Sequence, residues 1–298
     1  MSLTNSHIRP VIFGEVLFDC FPDGKKVLGG APFNVAWHLQ AFGANPLFIS
    51  RVGDDEFGQD ISDSMKKWGM DLGGLQIDPD HPTGLVNISF EGNEHSFDIV
   101  DQSAYDFIIN TQLPELGDEF LLYHGSLALR HDISRQALEN IRQRNKSHLF
   151  IDINLRSPWW SKNSITPLLS HATWMKLNED ELKILAPAAA SYDEQIEHLR
   201  KEYPANIFFI TLGSKGAIAI DQAGNKEIIK PSQHHEVVDT IGAGDAFSSV
   251  LLLGILRKWP LPVILERAQS FASAVTGIQG ATSTELDFYE PFISAWQH

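Results

Sequence analysis

The 298-residue chain has one cysteine, Cys20, which excludes an internal disulfide framework and fits a reducing compartment. No apolar run approaches the roughly 20 residues that a membrane span needs, and no charged-then-apolar leader opens the chain. Basic residues are outnumbered, 23 against 38 acidic ones, for a net charge of -15. Clustered Lys and Arg are what nucleic acids and anionic membranes require, so neither is an expected partner. ATP is not excluded, because backbone amides and a divalent cation can hold it. Several catalytic signatures are also missing: GxxxxGK[ST], a convincing GxGxxG, HExxH, paired CxxC and GxSxG. The adjacent His234 and His235 have no partners at metal-ligand spacing and read as solvated or structural. A soluble, cytoplasmic protein is expected.

What is present is a globular composition, with 43% hydrophobic and 20% charged residues. Its organisation is an alternation of strands and helices. Val11 to Phe18 reads as one buried strand, Asn34 to Phe42 as a helix stopped by Gly43, Leu47 to Val52 as a strand and Glu56 to Trp68 as a helix. Strands at 120–124, 149–153, 174–177 and 207–212 follow, with helices at 133–144, 243–256, 261–279 and 288–296. A hairpin at 217–220 and 227–229 lies between. The alternation predicts parallel strands with right-handed crossovers. One region breaks it. Residues 85–90 and 95–100 flank a turn at 91–94, and Val86, Ile88 and Phe90 share one face. Such a hairpin suits either a lid over a site or an ordinary sheet edge. One α/β domain spanning 1–298 is expected, with a lid of strands around 82–101 and part of 11–28.

The chemistry concentrates in Val237 to Ile255. A strand-like Val237-Val238 meets Asp239-Thr240, then a Gly242-Ala243-Gly244 turn, Asp245 and an apolar helix. Unpaired N–H groups at a helix N-terminus favour an anion such as phosphate. An aspartate beside that anion is awkward unless it takes a proton from a hydroxyl attacking phosphorus. The plainer alternative is a capped helix start. Other polar residues gather at predicted strand ends, where open α/β sheets place ligands: Asp19, Asn154 and Arg156, Asn178 and Glu181, and Thr211 to Gly216. A helix N-terminus lowers an aspartate's pKa, so Asp245 is expected to be a weak base in the free protein. The Gly29 to Asn34 turn offers glycines and an amide suited to sugar hydroxyls. Trp159-Trp160 reads as packing.

With Gly29-Gly30-Ala31-Pro32-Phe33-Asn34-Val35-Ala36, Gly43 and Gly53 at one end and Asp239-Thr240-Ile241-Gly242-Ala243-Gly244-Asp245 at the other, the chain resembles the ribokinase-like, or PfkB, carbohydrate kinases. The resemblance covers nearly the whole chain. It implies a three-layer α/β sandwich, a mainly parallel sheet with a small antiparallel β lid, ATP and Mg²⁺. It makes Asp245 the catalytic base and Gly242, Ala243 and Gly244 the anion hole. Asp19, Gly29, Gly30, Asn34, Arg156 and Asp245 would hold the sugar. Asn178, Thr211, Gly213, Gly216 and Gly244 would hold the nucleotide. Glu181, from the N-x-x-E pattern Asn178 to Glu181, would organise Mg²⁺ through water. Asp239, with Gly280-Ala281, matches a monovalent-cation (K⁺) site. Gly14-Glu15, the GGAPFNVA form and Asp152 to Arg156 look most like fructokinases. The alternatives are 2-keto-3-deoxygluconate kinases, other sugar or nucleoside kinases, and a catalytically silent sugar-binding protein. Phe33, bulkier than the family's usual residue, is expected to reshape the sugar pocket, and Val250 to touch helix packing only. Lid residues such as His95 and Phe97 would shape substrate choice. A homodimer joined through the lid rests on the same analogy.

Overall fold

The computed structural model describes residues 8–91, 94–144, 146–187, 191–231 and 237–296. The chain begins with β1 (Arg9–Phe13), β2 (Leu17–Cys20), β3 (Lys26–Gly29) and α1 (Ala31–Ala41). Next come β4 (Leu47–Gly53), α2 (Glu56–Lys67), β5 (Leu75–Asp78), β6 (Gly84–Glu91) and β7 (Glu94–Ile99). The middle holds β8 (Glu119–His124), α3 (Asp132–Arg144), β9 (Lys146–Asp152) and α4 (Lys162–Leu169). Then follow β10 (Trp174–Asn178), α5 (Glu179–Leu185), α6 (Tyr192–Glu202) and β11 (Ile207–Thr211). The chain closes with β12 (Ala217–Asp221), β13 (Lys226–Ile229), α7 (Ala243–Leu256), α8 (Leu261–Val275) and α9 (Leu286–Ala295).

Two sheets organise these elements. The larger has nine strands in the order β13-β12-β11-β10-β9-β8-β1-β4-β5, and the smaller four in the order β3-β2-β6-β7. From β11 through to β5 the large sheet is parallel, and β12 and β13 are antiparallel additions. The small sheet is antiparallel except between β2 and β6, which run parallel. In the large sheet the chain leaves β1 toward β4 on one side and returns to β8 on the other. That reversal puts a crevice at the carboxyl ends of β1 and β8, the usual ligand position of open α/β sheets.

Side-chain alternation explains the layering. Ile12, Tyr123, Phe150 and Phe209 face α1, α7 and α8 in one buried core. Val11, Phe13, Leu122, Ile151, Met175 and Phe208 face α3, α4, α5 and α6 in a second. Leu17, Val86, Ile88 and Ile99 of the small sheet pack on Tyr105, Leu127 and Ala128, so the hairpin has a buried face as expected. Phe97 is 55% exposed. The side chains of Phe90 and His95, and both His234 and His235, lie outside the described residues.

Several expectations need correction. Val11 to Phe18 is not one strand. The chain leaves the large sheet after Phe13 and enters the small one at Leu17. Gly14 makes the bend, packed so closely on Pro32 that a Cβ would collide with the proline ring. Val237 and Val238 form no strand and are each 60% exposed. α1 starts earlier than Asn34, because Pro32 is tolerated in the first turn of a helix. The helix expected to reach residue 279 ends at Val275. Phe33 does not line a pocket. It is 1% exposed and packs on Trp37 and Phe48, with ring centroids 5.5 and 5.6 Å away.

Candidate active site

α1 and α7 bring the two distant glycine-rich turns together. Gly30 caps α1 with φ of 109°, and a Cβ there would lie 2.6 Å from the Glu15 carbonyl oxygen. Only glycine lets the helix begin so close to the β1–β2 bend. One turn into α1, the buried Asn34 donates from Nδ2 to Asp245 Oδ2 at 2.8 Å. Gly242 caps α7 in the left-handed region, φ 78°, and its missing Cβ is replaced by Ala281. Asp245 thus stands in the first turn of α7, its carboxylate oriented by an amide from the other motif.

Asp245 is half-buried, reachable yet largely surrounded by protein. Burial pushes its carboxyl up to about 6; the Asn34 hydrogen bond, Lys176 and Arg156 oppose that, and Asp152 adds to it. The expectation of a carboxyl lowered by the helix end is therefore corrected. Withdrawal from water outweighs the N-terminal dipole, which amounts to about 0.3–1 kcal/mol at exposed sites. Asp19, on β2, is also raised to about 6 by burial, against the pull of Arg156. Glu15 is 2% exposed and raised to about 7 by burial, against backbone hydrogen bonds and Arg156 and reinforced by Asp245. Arg156 is exposed, and its guanidinium has no hydrogen-bond or ion-pair partner among the described residues. Three carboxyls thus share one cationic neighbour. Glu15 Oε2 and Asn34 Oδ1 are buried with no hydrogen-bond partner. Buried oxygens of that kind call for donors, which the hydroxyls of a sugar supply.

The expected nucleotide-side residues lie on the same edge of the large sheet. Asn178 ends β10 and Thr211 ends β11, in register with each other. Gly213 opens the turn after β11, and Gly216 packs directly on the Ile229 carbonyl of β13. Asn178 and Glu181 form a capping box on α5. Asn178 Oδ1 accepts from the Asp180 and Glu181 amides at 3.0 and 2.9 Å, and Glu181 Oε2 from the Asn178 amide at 2.8 Å. Glu181 Oε1 accepts from the Leu155 amide at 2.8 Å, tying this cap to the Asp152 to Arg156 loop.

Both Glu181 oxygens are thus engaged with backbone, which suits an ion held through water better than direct ligation. Asp239 is similar, accepting from Ile241 N at 2.9 Å and Gly280 N at 3.1 Å. A separate trio, Asp101, Asp106 and His131, has ligand-type atoms within 4.8 Å of one another. Arg130 already binds both Asp106 oxygens, at 2.7 and 2.6 Å, so a metal cation there would be repelled. Trp159 packs under the Arg130 guanidinium, 4.2 Å from ring centroid to carbon, rather than presenting a free face.

Sequence reasoning passed over one group. Lys176 on β10 and Asp152 on β9 are register neighbours on the face of the sheet under α7. Lys176 Nζ lies 3.0 Å from both Asp152 oxygens, and Ser248 Oγ of α7 donates to Asp152 Oδ2 at 2.7 Å. The signal was available: each is a charged residue at an inward position of a strand otherwise apolar enough to be buried.

Residues 17–287 match the pfkB family of carbohydrate kinases. The chain belongs to that family. The kinase is 30% identical to a fructokinase of Escherichia coli over 259 residues, covering 82% of this chain and 83% of that one. It superposes on a fructokinase of Vibrio cholerae, solved with fructose, ADP and a calcium ion, with a TM-score of 0.82 and 26% identity. That match covers 96% of this chain and 99% of the other. An aminoimidazole riboside kinase of Salmonella enterica, solved with aminoimidazole riboside and an ATP analogue, gives 0.80 and 27%, covering 95% and 99%. The kinase therefore has the ribokinase-like α/β fold and is a phosphotransferase acting on an alcohol group of a sugar. No helix among its described residues is long and apolar enough to cross a membrane.

Proposed function

We propose that this kinase transfers the γ-phosphoryl group of ATP to a hydroxyl of fructose. The observation that carries the reading is the Asn34–Asp245 contact at the mouth of α7, where an oriented carboxylate stands among helix N-terminal amides. The sugar hydroxyl oxygen forms a bond to the γ-phosphorus while the bond from that phosphorus to the β,γ-bridging oxygen breaks. ADP leaves with that electron pair, and the hydroxyl proton passes to Asp245. A carboxyl near 6 is a better proton acceptor than an ordinary aspartate and is still ionised at neutral pH. The amides around Gly242, Ala243 and Gly244 stabilise charge on the transferring group. Asp19, Gly29, Gly30, Asn34 and Arg156 hold the acceptor; Asn178, Thr211, Gly213 and Gly216 hold the nucleotide. Glu181 would hold Mg²⁺ through water, and the bound ion would offset phosphate charge. Asp239 and the Gly280-Ala281 turn would take a potassium ion. The small sheet serves as a lid within one kinase domain, and its edge offers a surface for a second copy.

Fructose is supported by the fructokinases among the similar proteins and by charge. Three carboxyls around one guanidinium accommodate a neutral polyhydroxy ketose, which adds no further negative charge. A second reading, 2-keto-3-deoxygluconate, is favoured by the unpartnered guanidinium of Arg156, which could receive an acid sugar's carboxylate. Coupled ADP release with fructose, 2-keto-3-deoxygluconate, ribose, glucose, adenosine and aminoimidazole riboside tests both. Fructose should give the highest kcat/KM. A higher value with the acid sugar would replace the first reading with the second, and no ADP release with any acceptor would refute both.

A further inference from the structure

Lys176 is 6% exposed, so its ammonium has been taken out of water. Burial works against its charge, but Asp152, Glu181 and Asp245 outweigh that and hold it above the ordinary lysine value. Two of its three N–H donors meet Asp152. The remaining surroundings are unusual. A Cβ built on Gly244 would lie 3.2 Å from Lys176 Nζ. Gly244 is the second residue of α7, and its backbone is not in the left-handed region. The glycine is therefore not needed for conformation; it keeps the space above the ammonium clear. In a helix the Cα–Cβ bond tilts toward the N-terminus. Lys176 Nζ thus lies beside the first turn of α7, displaced toward the end at which the unpaired amides open.

We propose that Lys176 is a catalytic cation of the phosphoryl transfer, its ammonium held from below by Asp152 and facing, past Gly244, the anion that the α7 amides receive. This rests on the placement of the anion hole at residues 242–245 in the reading above. As the γ-phosphorus exchanges its bridging oxygen for the sugar oxygen, negative charge on its peripheral oxygens meets both the amides and this ammonium. Lys176 gives up no proton. Asp152 and Ser248 fix its position, and the ion pair anchors the first turns of α7 to the sheet.

The competing account is that Lys176 only neutralises a buried Asp152. Removing either partner of a buried pair is destabilising, whereas replacing both is often tolerated. The experiment therefore compares Lys176→Met, Asp152→Asn and the Lys176→Met/Asp152→Asn double variant by kcat, by KM for ATP and sugar, and by thermal midpoint. The double variant should melt near the wild type and keep its sugar KM, with kcat lower by about 10²–10³-fold, the loss typical of removing one preorganised donor. Asp152→Asn, which keeps the lysine with Glu181 and Asp245 still acting on its charge, should lose far less turnover than Lys176→Met. Recovery of kcat in the double variant, or equal losses from the two single ones, overturns the proposal. Gly242→Ala, which disturbs the amide turn itself, is run alongside. If it also turns over normally, the placement of the anion hole has failed; if it alone is inactive, only the role of Lys176 has.

Discussion

Glu15 should make the kinase less stable as the pH rises through neutrality. Its carboxyl is raised from an ordinary 4.5 to about 7, chiefly because it is buried, and Oε2 has no hydrogen-bond partner. Between those two values the folded state keeps a proton that the unfolded state has released. Stability is therefore fully present below about 4.5, falls as the pH rises through that window and reaches its lower plateau above about 7. At ~1.36 kcal/mol per pH unit, the gap between 4.5 and about 7 is on the order of 3 kcal/mol. Glu15→Gln keeps the shape and removes the titration. It should be more stable than the wild type at pH 8 by on the order of 3 kcal/mol and by less than about 1 kcal/mol at pH 5. For a protein of this size that is roughly 5–10 °C in thermal midpoint. The assay is a pair of melting curves for the two proteins at each half pH unit from 5 to 8.5, without ligand. A Gln variant no more stable at pH 8, or equally stabilised at both ends of the range, would show that Glu15 is not held protonated by burial.

Other outcomes follow from the same geometry. Asp245→Asn should lower kcat by roughly 10²–10⁴-fold with sugar affinity within a few-fold, and the wild type's kcat/KM should fall on the acid side near pH 6; stopped-assay pH profiles read both. Gly242→Ala must force a Cβ against Ala281 at φ 78°, so turnover should drop sharply while the far-ultraviolet circular dichroism stays unchanged. Phe271 is fully buried, with rings of His38, Phe42, Tyr289 and Phe292 within 5.0 to 5.8 Å, and Phe271→Ala should cost about 3–5 kcal/mol in urea unfolding. Chelating divalent cations should abolish ADP release yet leave the ligand-free melting temperature unchanged, because neither Glu181 nor Asp239 depends on an ion for its backbone hydrogen bonds.

The legible part of the fold was the part governed by local rules. The strand–helix alternation, the hairpin at 84–99 and the glycine-led start of α7 all followed from periodicity and turn chemistry. α6 was missed although Ser191 caps it by accepting from the Glu194 amide and its charges run acidic to basic along the dipole. The signal was present, but so few of its side chains are buried that its apolar stripe is thin. The division of Val11 to Phe18 between two sheets was not legible, since one continuous apolar run serves a single strand or two equally well. Only the packing of Gly14 on Pro32 decides it. Phe33 was misplaced for a related reason. A residue beside Asn34 in sequence is turned by about 100° on a helix and here meets the core instead of the pocket.

The pKa of Asp245 depended on a balance that no sequence pattern reports. The Asn34 amide, Lys176 and Arg156 favour the carboxylate, yet its withdrawal from water and the buried Asp152 favour the acid, and the second set wins. On the proposed reading the same elements would let a carboxylate share a site with phosphates. Lys176 pairs with Asp152 behind the turn and Asn34 holds Asp245, which would leave the α7 amides for the anion. Separating charge in this way needs residues from β9, β10, α1 and α7 at one point. The sheet order supplies it, because β9 and β10 are neighbours beneath α7 while α1 leads away from the reversal at β1. On the proposed reading the two glycine motifs mark where the reacting groups would meet, and the buried pair beneath them would set the field in which they react.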